Sequence, residues 1–145
     1  MSRGESALSL HHSARIACVL GQPVAHSLSP AIHNDCFEDL GVNAKYFSCD
    51  VSPRNLEKII RSLQSQNFLG ASVTMPHKEA ALLLCDTVSP RARALTSVNT
   101  LVPLSDGSLH GDSTDGAGCV GALEHHGVQL NGKSVIVLGA GATAR

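Results

Sequence analysis

Apolar positions along the chain come in two alternating rhythms, and each predicts an element. Residues 15–21, RIACVLG, are apolar on both faces, as a strand buried inside a sheet requires, and Gln22 and Pro23 punctuate the run. Ser29 and Pro30 fit the cap and first position of a helix. In that helix Ile32, Cys36, Phe37 and Leu40 recur at helical spacing as the expected inner face, until Gly41 offers a stop. Residues 44–51 alternate as a second strand. Ser52 and Pro53 then repeat the capping device ahead of Leu56, Ile59, Ile60 and Leu63.

A third strand is expected over Leu69 to Met75, with Pro76 opening a helix whose inner side carries Ala80, Ala81, Leu83 and Leu84. Ser89 and Pro90 open a short helix through Ala94, and SVNTLVPL supplies a further β segment before the turn at Ser105, Asp106 and Gly107. Asp115 caps or enters a helix with Val120 and Leu123 facing inward and Gly127 ending it. Beyond the turn at Asn131 and Gly132, SVIVLGAGATAR reads as a strand running into a glycine-rich bend. The alternation predicts an α/β fold: an open, twisted, mostly parallel sheet with helices on both faces and one antiparallel strand near its edge, followed by the start of a Rossmann domain.

Composition agrees with a folded chain: 43% of the 145 residues are apolar and 16% charged. Eleven Lys and Arg balance 12 Asp and Glu, so no long-range field recruits nucleic acid or anionic lipid. The basic stretches PRNLEKIIR and SPRARAL read as solvated helix faces. Residues 1–14 lack the apolar core of a secretory signal and read as a flexible leader. No run reaches the roughly 18 apolar residues that cross a membrane, and a cytoplasmic location is expected. The five cysteines, 18, 36, 49, 85 and 119, follow no CxxC pattern and read as buried free thiols. Histidines 11, 12, 26, 33, 77, 110, 125 and 126 form no HxH or HExxH pattern, so no metal site is expected, and surface or capping roles are the default.

Four stretches carry candidate chemistry. In HSLSPAIHN, Ser27 and Ser29 leave a buried strand at the sheet rim where open α/β sheets bind ligands, and their hydroxyls suit a carboxylate, although Ser29 equally suits a plain helix cap. In SVTMPHKEA, Thr74 ends a strand and Lys78 falls in the first helical turn, where a cation is misplaced against the helix dipole. Partial desolvation there lowers an amine's proton affinity and suits proton exchange with an alcohol oxygen, while an adjacent carboxylate opposes that shift. The plainer reading is a solvated lysine paired with Glu79 or Glu57. Asn99 in SVNT offers donor and acceptor, and Asp115 in GDSTDG an acceptor, to a hydroxylated ligand; an Asx turn and a helix cap are the structural readings of the same residues. GAGATA satisfies G-x-G-x-x-A after an apolar strand. Gly139 serves the bend, Gly141 the approach of a pyrophosphate and Ala144 helix packing, and an ordinary glycine turn is the alternative.

Taken in order, GQPVAHSLSPAIHN, GASVTMPHK, SVNT, GDSTDG and VLGAGATAR resemble the shikimate dehydrogenase family from about residue 15 to residue 145. The resemblance implies a shikimate-binding α/β domain over 15–111, an interdomain helix and linker over 112–130, and a truncated start of an NADP-binding domain over 131–145. It implies reversible, NADPH-dependent reduction of 3-dehydroshikimate to shikimate in aromatic amino acid biosynthesis, with the chain inactive by itself. Ser27 and Ser29 would hold the substrate carboxylate, and Thr74, Asn99 and Asp115 the ring hydroxyls. Lys78 and Asp115 would form the catalytic pair, and Gly139, Gly141, Ala142 and Ala144 the cofactor turn. A homodimer is admitted. Three departures from the family stand out: Ser72 and Ser113, each where Asn is usual, and Ala142 where Gly is frequent. Both exchanges shorten a side chain that could touch substrate, and the second, Ser113, leaves room for a related ligand including quinate; a quinate or dual quinate/shikimate enzyme, with NAD as cofactor, is the near alternative. A non-catalytic ligand-sensing or interaction module is the alternative of another class.

Overall fold

The computed structural model describes residues 14–64, 67–142 and 144; the leader expected over 1–14 lies outside them but for its last position. The strands are β1 (Arg15–Gly21), β2 (Ala44–Asp50), β3 (Phe68–Val73), β4 (Thr87–Val88), β5 (Thr100–Pro103) and β6 (Leu109–Asp112). The helices are α1 (Ser29–Asp39), α2 (Leu56–Ser62, preceded by a 3-10 turn at Pro53–Asn55), α3 (Lys78–Leu82), α4 (Pro90–Leu95) and α5 (Asp115–His125). One six-stranded sheet has the order β2-β1-β3-β5-β6-β4.

The α/β reading holds, with a change in where the antiparallel strand lies. β1 pairs parallel with both β2 and β3, β4 pairs parallel with β6, and β5 alone runs against its neighbours β3 and β6. It is interior rather than near the edge, because the two-residue β4, too short to leave a periodic signature, adds beyond the hairpin. The approach of β5 to β3 needs Gly70, whose φ is +151° and where a Cβ would come within 2.6 Å of the Leu101 carbonyl oxygen.

β1 is buried on both faces, as its composition predicts. Cys18 and Leu20 join Leu56 and Ile60 of α2, Ala81 of α3 and Ala92 of α4 in the larger core, and Ala17 and Val19 meet Val24, Tyr46 and Phe37 of α1 on the other face. Each fully buried Leu or Ile contributes about 1.5–3 kcal/mol relative to exposure. The Ser89 cap is made as expected, its Oγ accepting from the Ala92 N–H at 3.1 Å.

Several expected inner faces turn outward. Ile32 and Cys36 of α1 and Leu40 just beyond it are exposed; of the expected face Phe37 packs inward, and the helix lays His33 and Asn34 on the sheet beside it. A polar contact sets this rotation. Asn34 Nδ2 donates to the Tyr46 carbonyl at 3.0 Å and Asn34 Oδ1 accepts the Tyr46 N–H at 2.9 Å, while the His33 ring stacks on the Tyr46 ring at 4.3 Å. Asn34 thereby fills the outer edge of β2 as another strand would. Ser29 is the first residue of α1 rather than its cap; Leu28 holds that place.

α3 begins at Lys78, not at Pro76, and ends at Leu82, so Leu83 lies beyond it and is exposed; of the expected inner side only Ala81 is buried. Val120 and Leu123 of α5 are also exposed, because no residue of that helix is buried against the described chain. Residues 133–138 form no strand, and Leu138 is 94% exposed: an apolar run becomes a strand only where a neighbour takes its backbone hydrogen bonds. Of the cysteines only Cys18 is buried; Cys49 and Cys85 are half-buried and Cys36 and Cys119 exposed. His77, expected at a surface or a cap, is buried at the N-cap of α3 and donates from Nε2 to the Val51 carbonyl at 2.6 Å. No described helix is long and apolar enough to cross a membrane.

Asn34→Ala removes two hydrogen bonds at once and is expected to cost about 1–3 kcal/mol in urea unfolding. A cost below about 0.5 kcal/mol would mean that the β2 edge does not depend on Asn34.

Candidate active site

The rim formed by the C-terminal ends of β1 and β3 and the loops beyond them holds the candidate chemistry. β1 ends at Gly21 and hands the chain to the loop bearing Ser27, and β3 ends at Val73, directly before Thr74 and the turn into α3. Thr74 is tied back to β1, its N–H donating to the Leu20 carbonyl at 2.8 Å, and its own carbonyl accepts the His77 N–H at 3.0 Å. The backbone of Lys78 is fixed in turn, since its carbonyl accepts the Val98 N–H at 3.0 Å, which joins the start of α3 to the segment carrying Asn99.

Lys78 answers the misfit seen in the sequence. Its side chain is 9% exposed, and Nζ donates a short hydrogen bond to Oδ2 of Asp115, the first residue of α5. The plainer reading, a solvated lysine, does not apply. Asp115 Oδ1 accepts from Asn99 Nδ2, which also donates to Thr114 Oγ1 at 3.0 Å. Asn99 Oδ1 accepts the Thr114 N–H at 2.9 Å and the Thr100 hydroxyl at 2.8 Å. Asn99 is thus a junction that orients the carboxylate, and a ligand hydroxyl must replace one of these partners to reach it. Asp115, a third exposed, opens toward the cleft.

Ser27, Ser29, Thr74, Lys78, Asn99 and Asp115 all line one cleft of about 410 Å³. Ser27 Oγ accepts the Ser29 N–H at 3.2 Å, a bond that leaves the Ser27 hydroxyl proton available to another acceptor. Sequence reasoning missed Tyr46, the single tyrosine of the chain. Its hydroxyl donates to Ser72 Oγ at 2.8 Å, and Ser72 lines the cleft. Burial pushes the Tyr46 phenol up, and the hydrogen bond to Ser72 partly opposes that rise. Because Ser72 accepts from Tyr46, its own proton is free to donate into the cleft. The signal was available in the alternation of β2, which places Tyr46 on an inward face. Ser113, the second departure from the family pattern, is buried and does not line the cleft; the expectation that its shortening touches a ligand is withdrawn.

A second cleft of about 420 Å³ shares Thr74, Met75 and Lys78 with the first and is otherwise lined by Pro76, Glu79, Leu138 and the turn residues Gly139, Gly141, Ala142 and Ala144. Gly139 has φ +118°, and a Cβ at Gly141 would meet nothing within 4 Å, so the backbone there is open to close approach. Among the described residues no group of three or more His, Cys, Asp or Glu is placed to hold a metal ion.

Known proteins are similar to this chain in sequence and in fold. The shikimate dehydrogenase (NADP(+)) of Symbiobacterium thermophilum is 47% identical over 131 residues, covering 90% of this chain and 44% of that protein. The crystal structure of shikimate 5-dehydrogenase from Thermus thermophilus in complex with NADP(H) and shikimate is similar with a TM-score of 0.83 and 40% identity, over 90% of this chain and 49% of that one. The ligand-free 5-ketofructose reductase of a Gluconobacter strain is similar at 27% identity with a TM-score of 0.80, over 90% of this chain and 47% of that one. The chain spans about half the length of these relatives. Residues 19–101 match the family described as the shikimate dehydrogenase substrate binding domain, and on that match, which takes in more than half of the chain, the protein belongs to the shikimate dehydrogenase family.

Proposed function

We propose that this chain is the substrate-binding part of an NADP-dependent shikimate dehydrogenase that reversibly reduces 3-dehydroshikimate to shikimate. The observation that carries the reading is the Lys78–Asp115 pair, oriented by Asn99 at the mouth of a cleft that also holds Ser27, Ser29 and Thr74. On this reading residues 15–111 form the substrate domain, 112–130 the linking segment and 131–145 the opening of the cofactor domain. Gly139, Gly141, Ala142 and Ala144 fit the approach of a dinucleotide, and bound NADPH supplies the hydride to the ring ketone carbon.

Each side chain then has a defined task. Ser27 and Ser29 donate to the substrate carboxylate, with the Ser72 proton as a further donor on the cleft wall. Thr74, Asn99 and Asp115 bind ring hydroxyls. The Lys78 ammonium gives a proton to the ketone oxygen as that atom gains charge, and in the reverse direction the neutral amine takes the alcohol proton. Asp115 holds the ammonium in line and accepts a hydrogen bond from a neighbouring hydroxyl, so the reacting oxygen meets a preorganised donor.

A quinate or dual-specificity enzyme, with NAD as cofactor, is a second reading, favoured by the short Ser72 on the cleft wall. A homodimer in the cytoplasm belongs to the same proposal and draws on the exposed apolar Leu28, Ile32 and Leu40 along α1.

Turnover tests of these readings use the full-length protein. Lys78→Ala is expected to preserve the fold and lower turnover by about a hundredfold or more. Near-normal turnover across several pH values would remove the proton-transfer role, and a full-length protein inactive with both acids would instead favour the ligand sensor. Shikimate with NADP should exceed quinate with NAD in kcat/KM by more than about tenfold, a difference of about 1.4 kcal/mol in transition-state binding; the opposite ranking selects the second reading. Sedimentation should give twice the monomer mass, with Ile32→Lys returning the monomer, and a parent protein that stays monomeric at high concentration ends the dimer proposal.

A further inference from the structure

Asp115 is placed without help from packing. It begins α5, a helix that buries none of its residues, so apolar contact does not decide where its carboxylate sits. What holds it is the turn between the end of β6 at Asp112 and the start of α5, only Ser113 and Thr114 in length. The far end of that turn is tied by side chains to Asn99 and Lys78.

The near end is tied by a different set of groups, none of which lines either cleft. Arg91 Nε donates to Asp112 Oδ1 at 2.8 Å, and Arg91 Nη2 makes a short bond to Oδ2, a two-pronged clamp. The Ser89 hydroxyl and the Ser113 N–H also donate to Asp112 Oδ1, the latter at 2.7 Å. Ser89 caps α4 and its N–H donates to the Gly111 carbonyl at 3.0 Å, so this one carboxylate joins the first turn of α4 to the last residue of β6. The Asp112 carbonyl accepts the Asn99 N–H at 2.9 Å, which puts the clamp directly behind the junction that orients Asp115. The Arg91 guanidinium holds the Asp112 carboxyl well below the usual carboxylate range, so the clamp stays ionised through the neutral range. The basic SPRARAL stretch, which reads in the sequence as a solvated helix face, therefore contains one arginine with a fixed task.

We infer that Arg91 and Asp112 are positioning residues: their clamp on the β6–α5 turn sets where Asp115 meets Lys78 and thereby sets the geometry of proton transfer. The inference rests on the reading of Lys78 and Asp115 as the catalytic pair. An exposed ion pair contributes little to global stability, and half of the Arg91 side chain is exposed, so its loss should act on the turn rather than on folding.

The test compares Arg91→Ala, Asp115→Asn and the neighbouring Arg93→Ala by amide hydrogen exchange, unfolding and turnover of the full-length protein. Arg91→Ala is expected to leave the unfolding midpoint nearly unchanged and to speed exchange of the Ser113 and Thr114 amides by about tenfold or more. It should lower kcat/KM by about tenfold, since small displacements of a reacting group are costly. Arg93→Ala should change neither, and millimolar guanidinium chloride, but not sodium chloride, should restore part of the Arg91→Ala activity. Exchange that stays at the parent rate overturns the clamp whatever the activity. Faster exchange with turnover within twofold of the parent overturns its role in the reaction. Full activity of Asp115→Asn would overturn the catalytic pair itself, with the exchange result still deciding the clamp.

Discussion

A cation in the first turn of a helix is met here by a carboxylate from the first turn of another helix. The Lys78–Asp115 contact spans 37 residues of sequence and joins the helix after β3 to the helix after β6. The Lys78 ammonium, 9% exposed, needs compensation at its depth, since a buried ion loses its hydration. The pairing therefore constrains the sheet between them: β3, β5 and β6 must be neighbours, and the residues closing each strand must point to one rim.

The rest of the site can be understood as support for that contact. Asn99 reads Asp115 with one end of its amide and the Thr114 backbone with the other, a use of both donor and acceptor that aspartate or leucine of similar size could not reproduce. Val98 anchors the Lys78 backbone from the adjacent segment. On the α1 side of the sheet, Tyr46 reaches Ser72 across β1, and it is placed by α1 through Asn34 and His33. Hydrogen bonds rather than apolar packing position the groups that face the cleft, while the apolar core keeps the strands that carry them in register.

How far this was legible in the sequence depended on how local each decision was. β1 runs over the same seven residues in sequence and structure, because two-sided burial leaves an unbroken apolar run. The Ser89 cap was equally readable, since a capping hydroxyl and the amide it serves lie three residues apart. The inner face of α1 was not, because apolar periodicity pointed to Ile32 and Leu40 whereas two hydrogen bonds from Asn34 to another strand set the rotation. The interior place of β5 depended on a strand of two residues, and Val120 and Leu123 carried an apolar signal that the described chain does not bury.

The chain order of residues by itself determined which side chains carry chemistry and that strands and helices alternate, since residue type, capping and periodicity act over a few neighbouring positions. It also carried the motif series that marks the family. Which carboxylate meets Lys78, that Asn99 stands behind it, that Tyr46 backs Ser72 on the cleft wall while Ser113 lies off it, and that Arg91 is tied to Asp112 were decided only by tertiary structure. Those contacts join residues 15 to 37 positions apart, and their partners become neighbours only when the sheet order brings the strand ends to a common rim.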